Sequence, residues 1–149
     1  MAKWPGKKFE QDFTRQAEED PGIFVYRCRD VQWYAGSVNI ADFLLYNWNT
    51  LASLELKSTK GKSVPFSRLN KTQRLMMLAE NVIEIIWYVF NFRWDVNKTY
   101  FVDVFKVSDY IEKAERKSIP LDWIQDNGWL IPQTLRQTRY DYDLSILFE

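Results

Sequence analysis

The sequence predicts an α/β chain in which a mixed central β-sheet is flanked by helices, and three observations carry that prediction. Runs rich in β-branched and aromatic residues, such as "LASLELK", "VIEIIWYVFNFRW" and "KTYFVDVF", have strand character. Amphipathic segments at helical spacing alternate with them, an order that requires helices packed against a sheet. A length of 149 residues, 46% hydrophobic and 17% aromatic, suits one domain over residues 1–149 with a full core.

The elements follow in order. From Lys7 to Glu19, Phe9 and Phe13 recur at helical spacing among charges, and "DPG" at Asp20 to Gly22 ends a surface helix. "IFVYRC" (Ile23 to Cys28) is a first strand, and residues 29–40 are a short excursion before the sheet resumes. "ADFLLY" and "LASLELK" flank "NWNT", whose asparagines suit a turn, so the pair is expected to form a hairpin. "NKTQRLMMLAE" is a helix, and "VIEIIWYVFNFRW" and "KTYFVDVF" are two further strands. "SDYIEKAERKS" is expected to form a helix capped by Ser108, and "IPLDWIQDNG" a short one closed by Gly128. The tail "RYDYDLSILFE" is expected to add an edge strand.

Composition excludes several chemistries. With no histidine and one cysteine, Cys28, there is no Ser-His or Cys-His mechanism, no intrachain disulfide and no cysteine-rich zinc site. Catalysis, if present, rests on carboxylates, lysines and a hard metal ion. The net charge of zero excludes a uniformly basic surface but leaves room for a local patch. No apolar run reaches the roughly 18 residues of a membrane span, and "MAKWPGKKFEQDF" lacks the apolar stretch of a signal peptide. A cytoplasmic location without membrane contact is therefore expected.

The unusual feature lies between Asp42 and Lys62. Side chains alternate along a strand, so Glu55 and Lys57 share one face while Leu54 and Leu56 share the other. Asp42 sits near the far end of the partner strand, where a twist or bulge would carry its carboxylate toward Glu55. Two gathered acids repel unless a cation holds them, and a hard divalent ion such as Mg²⁺ takes oxygen ligands of this kind. Such an ion would acidify water and shield a phosphate, while Lys57 would orient or help deprotonate that water, or stabilise the pentavalent transition state. That chemistry is phosphodiester hydrolysis. An acid followed two residues later by a lysine is common on solvated strands; the context sets this pair apart. Lys57, Lys60, Lys62, Arg68, Lys71 and Arg74 follow with no acid among them, a run suited to lie along phosphates.

The D-x₁₂-E-x-K arrangement of Asp42, Glu55 and Lys57 resembles the core of the PD-(D/E)xK nucleases, whose fold is restriction-endonuclease-like. Within that superfamily the chain resembles the RecU Holliday junction resolvases of Gram-positive bacteria and their phages. "GKKFEQDF" is similar to their opening helix, "KSTKGKSVPFSRLNKTQ" to their lysine-rich loop and following helix, and Arg116 to Ile131 with Arg139 to Leu144 to their C-terminal region. The resemblance implies Asp42 and Glu55 as metal ligands, the Leu56 carbonyl as a third, and Glu10 approaching the same metal from the first helix, where Asp12 could substitute. It implies Lys57 as the catalytic lysine and Gln73 facing the site. Lys60, Lys62, Arg68, Lys71 and Arg74 would meet DNA. Its cofactor would be Mg²⁺, with Mn²⁺ an alternative, and its partners a four-way DNA junction and a second copy of the chain in a homodimer. One departure stands out: the family's long basic stalk is here reduced to Arg29 to Ala41, in which Trp33 and Tyr34 are the large side chains available to stack on bases at a branch point. The competing readings are a restriction or repair nuclease on the same fold and a non-catalytic DNA-binding or assembly protein. Retention of all three of Asp42, Glu55 and Lys57 speaks against the last.

Overall fold

The structure, a computed structural model, describes residues 5–28, 41–79, 85–94 and 96–149. Trp33 and Tyr34 lie outside the described residues. The first helix, α1 (Pro5–Glu19), buries Phe9, Phe13 and Ala17, one residue per turn along a single stripe, while Lys7, Glu18 and Glu19 face solvent. It ends where Asp20 Oδ1 accepts from the Gly22 N–H at 2.8 Å. Strands β1 (Phe24–Arg27), β2 (Phe43–Tyr46) and β3 (Leu51–Thr59) pair antiparallel. The β2–β3 turn forms as expected because Asn47 Oδ1 accepts from the N–H groups of Asn49 and Thr50, at 3.1 and 2.6 Å.

After β3 the chain makes a short strand β4 (Ser63–Pro65), a 3₁₀ turn over Phe66–Arg68, and α2 (Lys71–Ala79). It returns as β5 (Ile85–Phe92), parallel to β3, then turns back as β6 (Lys98–Asp103). Helix α3 (Val104–Lys113), strand β7 (Ser118–Pro120), α4 (Leu121–Asn127), β8 (Trp129–Ile131), β9 (Gln133–Leu135) and β10 (Tyr140–Tyr142) complete the order, with a 3₁₀ turn over Leu144–Phe148. The main sheet has the strand order β1-β2-β3-β5-β6-β8, and β4–β7 and β9–β10 form two-stranded ribbons beside it.

Because β3 and β5 lie in the middle of the sheet, both their faces are covered. Leu54, Leu56, Val89 and Phe101 pack against Phe9 and Phe13 of α1 together with Tyr142 and Leu147. Tyr88, Phe90 and Val102 pack on the opposite face against Met77 of α2, Val107 of α3 and Ile124 of α4. No helix among the described residues is long and apolar enough to cross a membrane.

Three expectations need correction. The third helix begins at Val104, four residues before Ser108, because Asp103 Oδ1 accepts from the Phe105 N–H at 2.7 Å and takes the capping position; Ser108 is buried within the helix. Val104 and Phe105 therefore leave the strand to which the sequence assigned them. The tail does not extend the main sheet: β10 pairs with β9, and β8 forms the outer strand beside β6.

Candidate active site

The hairpin register builds the site. Phe43 pairs with Leu54, and the Asp42 N–H also donates to the Leu54 carbonyl at 3.0 Å, a one-residue offset from the ladder's register of the kind a bulge makes, which brings Asp42 beside Glu55 as the sequence required. Asp42 Oδ2 accepts from the Leu56 N–H at 2.7 Å, satisfying a backbone donor left beyond the end of β2. Glu55, 5% exposed, has both oxygens engaged. Oε1 lies 3.2 Å from Lys57 Nζ, and Oε2 accepts from Gln73 Nε2 at 2.9 Å. Gln73 reaches it because Asn70 caps α2, its Oδ1 accepting from the Gln73 N–H at 2.9 Å and fixing that residue in the first turn.

Burial pushes the Glu55 carboxyl up to about 7, and the neighbouring Asp42 charge adds to the shift; Lys57 and Gln73 act against it. Burial likewise raises Asp42, opposed by the Leu56 N–H and reinforced by the charge of Glu10. Glu10 borders the site from α1, but its Oε1 accepts from Arg27 at 2.8 Å. Among the described residues no three acidic, cysteine or histidine side chains gather closely enough to hold a metal ion by themselves. Asp42 and Glu55 nonetheless suit a hard divalent cation: the donors are all oxygens, and both carboxyls are held above their ordinary range chiefly by burial, with the Asp42 charge adding to Glu55 and the Glu10 charge to Asp42. Cys28 donates its backbone N–H to the Asp42 carbonyl at 2.9 Å, and burial followed by the Asp42 and Glu55 charges raises its thiol, so it stays protonated.

The structure thus gathers Asp42, Glu55, Leu56, Lys57 and Gln73, with Glu10 at the border. Lys60, Lys62 and Lys71 are exposed, and Arg68 donates to the Ser58 carbonyl. Arg74 differs from the other cations of its run: it is 8% exposed, and its Nε and Nη1 find no acceptor among the described residues. It belongs to a buried polar group that the sequence did not disclose. Tyr88 pairs in register with Glu55, and burial followed by the Glu55 charge drives its hydroxyl well above its usual range, against the Arg74 charge. Neither the Tyr88 hydroxyl nor that of Ser53 has a partner among the described residues. Tyr88 sits inside an apolar strand run, so only the β3–β5 register could have revealed its position.

A parallel β3–β5 pair, an antiparallel hairpin bearing the acids and helices on both faces together give a fold of the restriction-endonuclease-like class. A Holliday junction resolvase of Archaeoglobus fulgidus, Hjc, has a similar fold, with a TM-score of 0.56 at 16% identity over 84% of this chain and 95% of that one. The chain belongs to the recombination protein U (RecU) family, whose model matches residues 39–145. It is also 31% identical to the SPbeta prophage-derived uncharacterized protein YotM of Bacillus subtilis (strain 168), over 95% of this chain and 84% of that protein. The RecU family is one of Holliday junction resolvases that depend in general on a divalent metal, and membership makes this chain a DNA endonuclease acting in recombination.

Proposed function

We propose that residues 1–149 form a single nuclease domain that cuts four-way DNA junctions with Mg²⁺, Mn²⁺ being an alternative, and that Asp42 and Glu55 hold the ion with the Leu56 carbonyl. The observation that carries this reading is the fixed arrangement of Glu55, one oxygen beside Lys57 and the other on Gln73, abreast of Asp42. A divalent ion there supplies charge neutralisation at the scissile phosphate and acidifies water. The chain's own groups do the rest. Gln73 keeps the Glu55 carboxylate from rotating, and the Leu56 N–H does the same for Asp42. Lys57, partly exposed beside Glu55, directs its ammonium to the attacking water or to charge developing on the phosphate. Glu10, loosely held by an exposed Arg27, completes the acidic border when DNA displaces that pairing.

Lys60, Lys62, Arg68 and Lys71 support DNA binding by their position beside the site; the burial of Arg74 argues for a structural role there. Two cuts related by symmetry require two sites related by symmetry, so a C2 homodimer on the junction is the economical assembly. In the test, Asp42→Asn and Glu55→Gln abolish cleavage of a four-way junction while leaving DNA binding intact, scored by native gel and by product analysis beside flapped and linear duplexes. Cleavage by either variant at the wild-type rate in saturating Mg²⁺ would overturn the assignment.

A further inference from the structure

Ser58, the residue after Lys57, is the meeting point of two arginines from separate parts of the chain. Arg68, from the turn after β4, donates from Nη1 to the Ser58 carbonyl at 2.5 Å. Arg93, just beyond β5, donates from Nε to Ser58 Oγ at 3.0 Å, and its backbone N–H donates to the Thr59 carbonyl at 2.8 Å. The Ser58 hydroxyl is itself oriented: it donates to Asn91 Oδ1 at 2.8 Å, and Asn91 is fixed in turn by Asn97 and Thr99, at 2.7 and 3.0 Å. The lone pair offered to Arg93 therefore points one way.

Neither guanidinium has a carboxylate within ion-pair distance among the described residues, whereas Arg15, Arg27, Arg136 and Arg139 each do. Arg93 is only partly exposed, and burial followed by the nearby Arg68 charge lowers its proton affinity. Two like charges drawn to one serine without an acid destabilise each other unless an anion joins them. Among the described residues, no other acceptor engages the rest of either fork. Lys62 adds a third cation at this end, 4.7 Å from the ring centre of Trp94, the residue after Arg93. The first turn of α1 is close by, since a Cβ built on Gly6 would lie 3.9 Å from the Ser58 Cβ, and no acid occupies that turn.

We propose that Arg68 and Arg93, held on the carbonyl and hydroxyl of Ser58, form a clamp for a non-scissile phosphate of the DNA strand being cut. This inference rests on the nuclease reading above and adds to it the element that sets where along the strand the cut falls. Ser58 lies three positions after Glu55, about 10 Å along the strand, near the end of β3 and with its side chain on the other face. At about 3.4 Å rise per nucleotide along one DNA strand, the clamped phosphate lies within about three nucleotides of the bond presented to Asp42 and Glu55. Planar forks suit a phosphate's paired oxygens and read no base, so the clamp fixes register without sequence preference.

Single neutral methylphosphonates placed in turn at each of the four phosphates on either side of the cut test this in the full-length chain. With wild-type protein, one substitution within three nucleotides of the cut should weaken junction binding about tenfold, the effect of removing one charge-assisted hydrogen-bond pair. In the Arg68→Gln/Arg93→Gln double variant that one substitution should become silent while interference elsewhere persists, and cuts should spread to neighbouring phosphates. The slope of log K against log salt should fall by about 0.9 for each phosphate that the variant no longer neutralises. Thermal melting checks folding; if the double variant is unfolded, Arg93→Lys, which keeps the charge and removes the fork, should weaken the same single interference. An unchanged interference profile in a folded variant, or no interfering phosphate near the cut in wild type, would overturn the clamp. Wild-type protein that binds junctions but cuts none would overturn the nuclease reading instead, because interference measured by binding still reports the clamp.

Discussion

Glu55 is buried against the interior of a sheet with a lysine on one oxygen and an amide on the other, and its acidity reflects that position. Its carboxyl titrates near 7 in the folded chain against an ordinary 4.5. Between those values the folded state holds a proton that the unfolded state has released. Without a divalent ion, stability should therefore fall as pH rises from about 4.5 to 7, by at most about 1.4 kcal/mol per pH unit from this group. Asp42, also raised, acts in the same direction. Melting in chelator at pH 5 and pH 7 should show the decline, and Glu55→Gln should flatten it. Lys57→Ala should lower the cleavage rate by about 10²–10⁴-fold, the span of a missing proton-transfer group, with little change in metal affinity by titration. Loss of DNA binding with turnover intact at saturating DNA would make Lys57 a phosphate anchor instead. Glu55 and Lys57 were legible because strand alternation alone puts them on one face. Tyr88 and Arg74 were not, since a tyrosine in an apolar run and an arginine in a basic run look ordinary until the β3–β5 register sets Tyr88 beside Glu55 and α2 buries Arg74 near Tyr88.

At the scale of elements, helix ends show what sequence patterns leave undecided. Asp103 and Ser108 are both residues that cap helices, and "FVDVF" continues a strand as readily as it begins a helix. The choice falls to Asp103 because starting there turns Val104 and Val107 into the core, a burial set by tertiary packing. Gly128 closes α4 as expected, for a reason the sequence could not show. Its φ of −118° is open to any residue, yet an added Cβ would lie 2.7 Å from the Phe101 carbonyl and from Val102 Cγ2, and 3.0 Å from the Ile124 carbonyl. Gly128→Ala should therefore destabilise the chain by about 1–3 kcal/mol in thermal or denaturant unfolding, through crowding of α4 against β6.

Across the whole molecule, the mixed sheet, the hairpin and the helix bearing Gln73 follow patterns long enough to read. The strands β4, β7, β8 and β9 have only three residues each, too few to display alternation, and the sequence gives no sign of them. The basic run is a property at this scale because its cations come from a loop, a turn and a helix. Replacing Lys60, Lys62 and Lys71 together with glutamine should weaken binding to branched and linear DNA alike and reduce the salt slope by about 0.9 for each phosphate left unneutralised. An unchanged slope would place the DNA elsewhere.

The fastening of α1 to the final hairpin has a consequence for the protein's synthesis. Arg15 donates to the Tyr140 carbonyl and to Asp141, Asp12 accepts from the Tyr140 N–H, and Gln16 accepts from the Tyr142 N–H. Phe9 and Phe13 complete their ring contacts against Tyr142. The helix that covers Leu54 and Leu56, directly behind Glu55, thus takes its partners from residues more than 120 positions later. A nascent chain on the ribosome cannot settle that helix until the segment around Tyr142 has emerged from the exit tunnel. At about 5–20 residues per second, seconds of translation separate the appearance of Asp42, Glu55 and Lys57 from the support behind them. During that interval the nascent chain carries the residues of the site without the packing that holds β3 from behind.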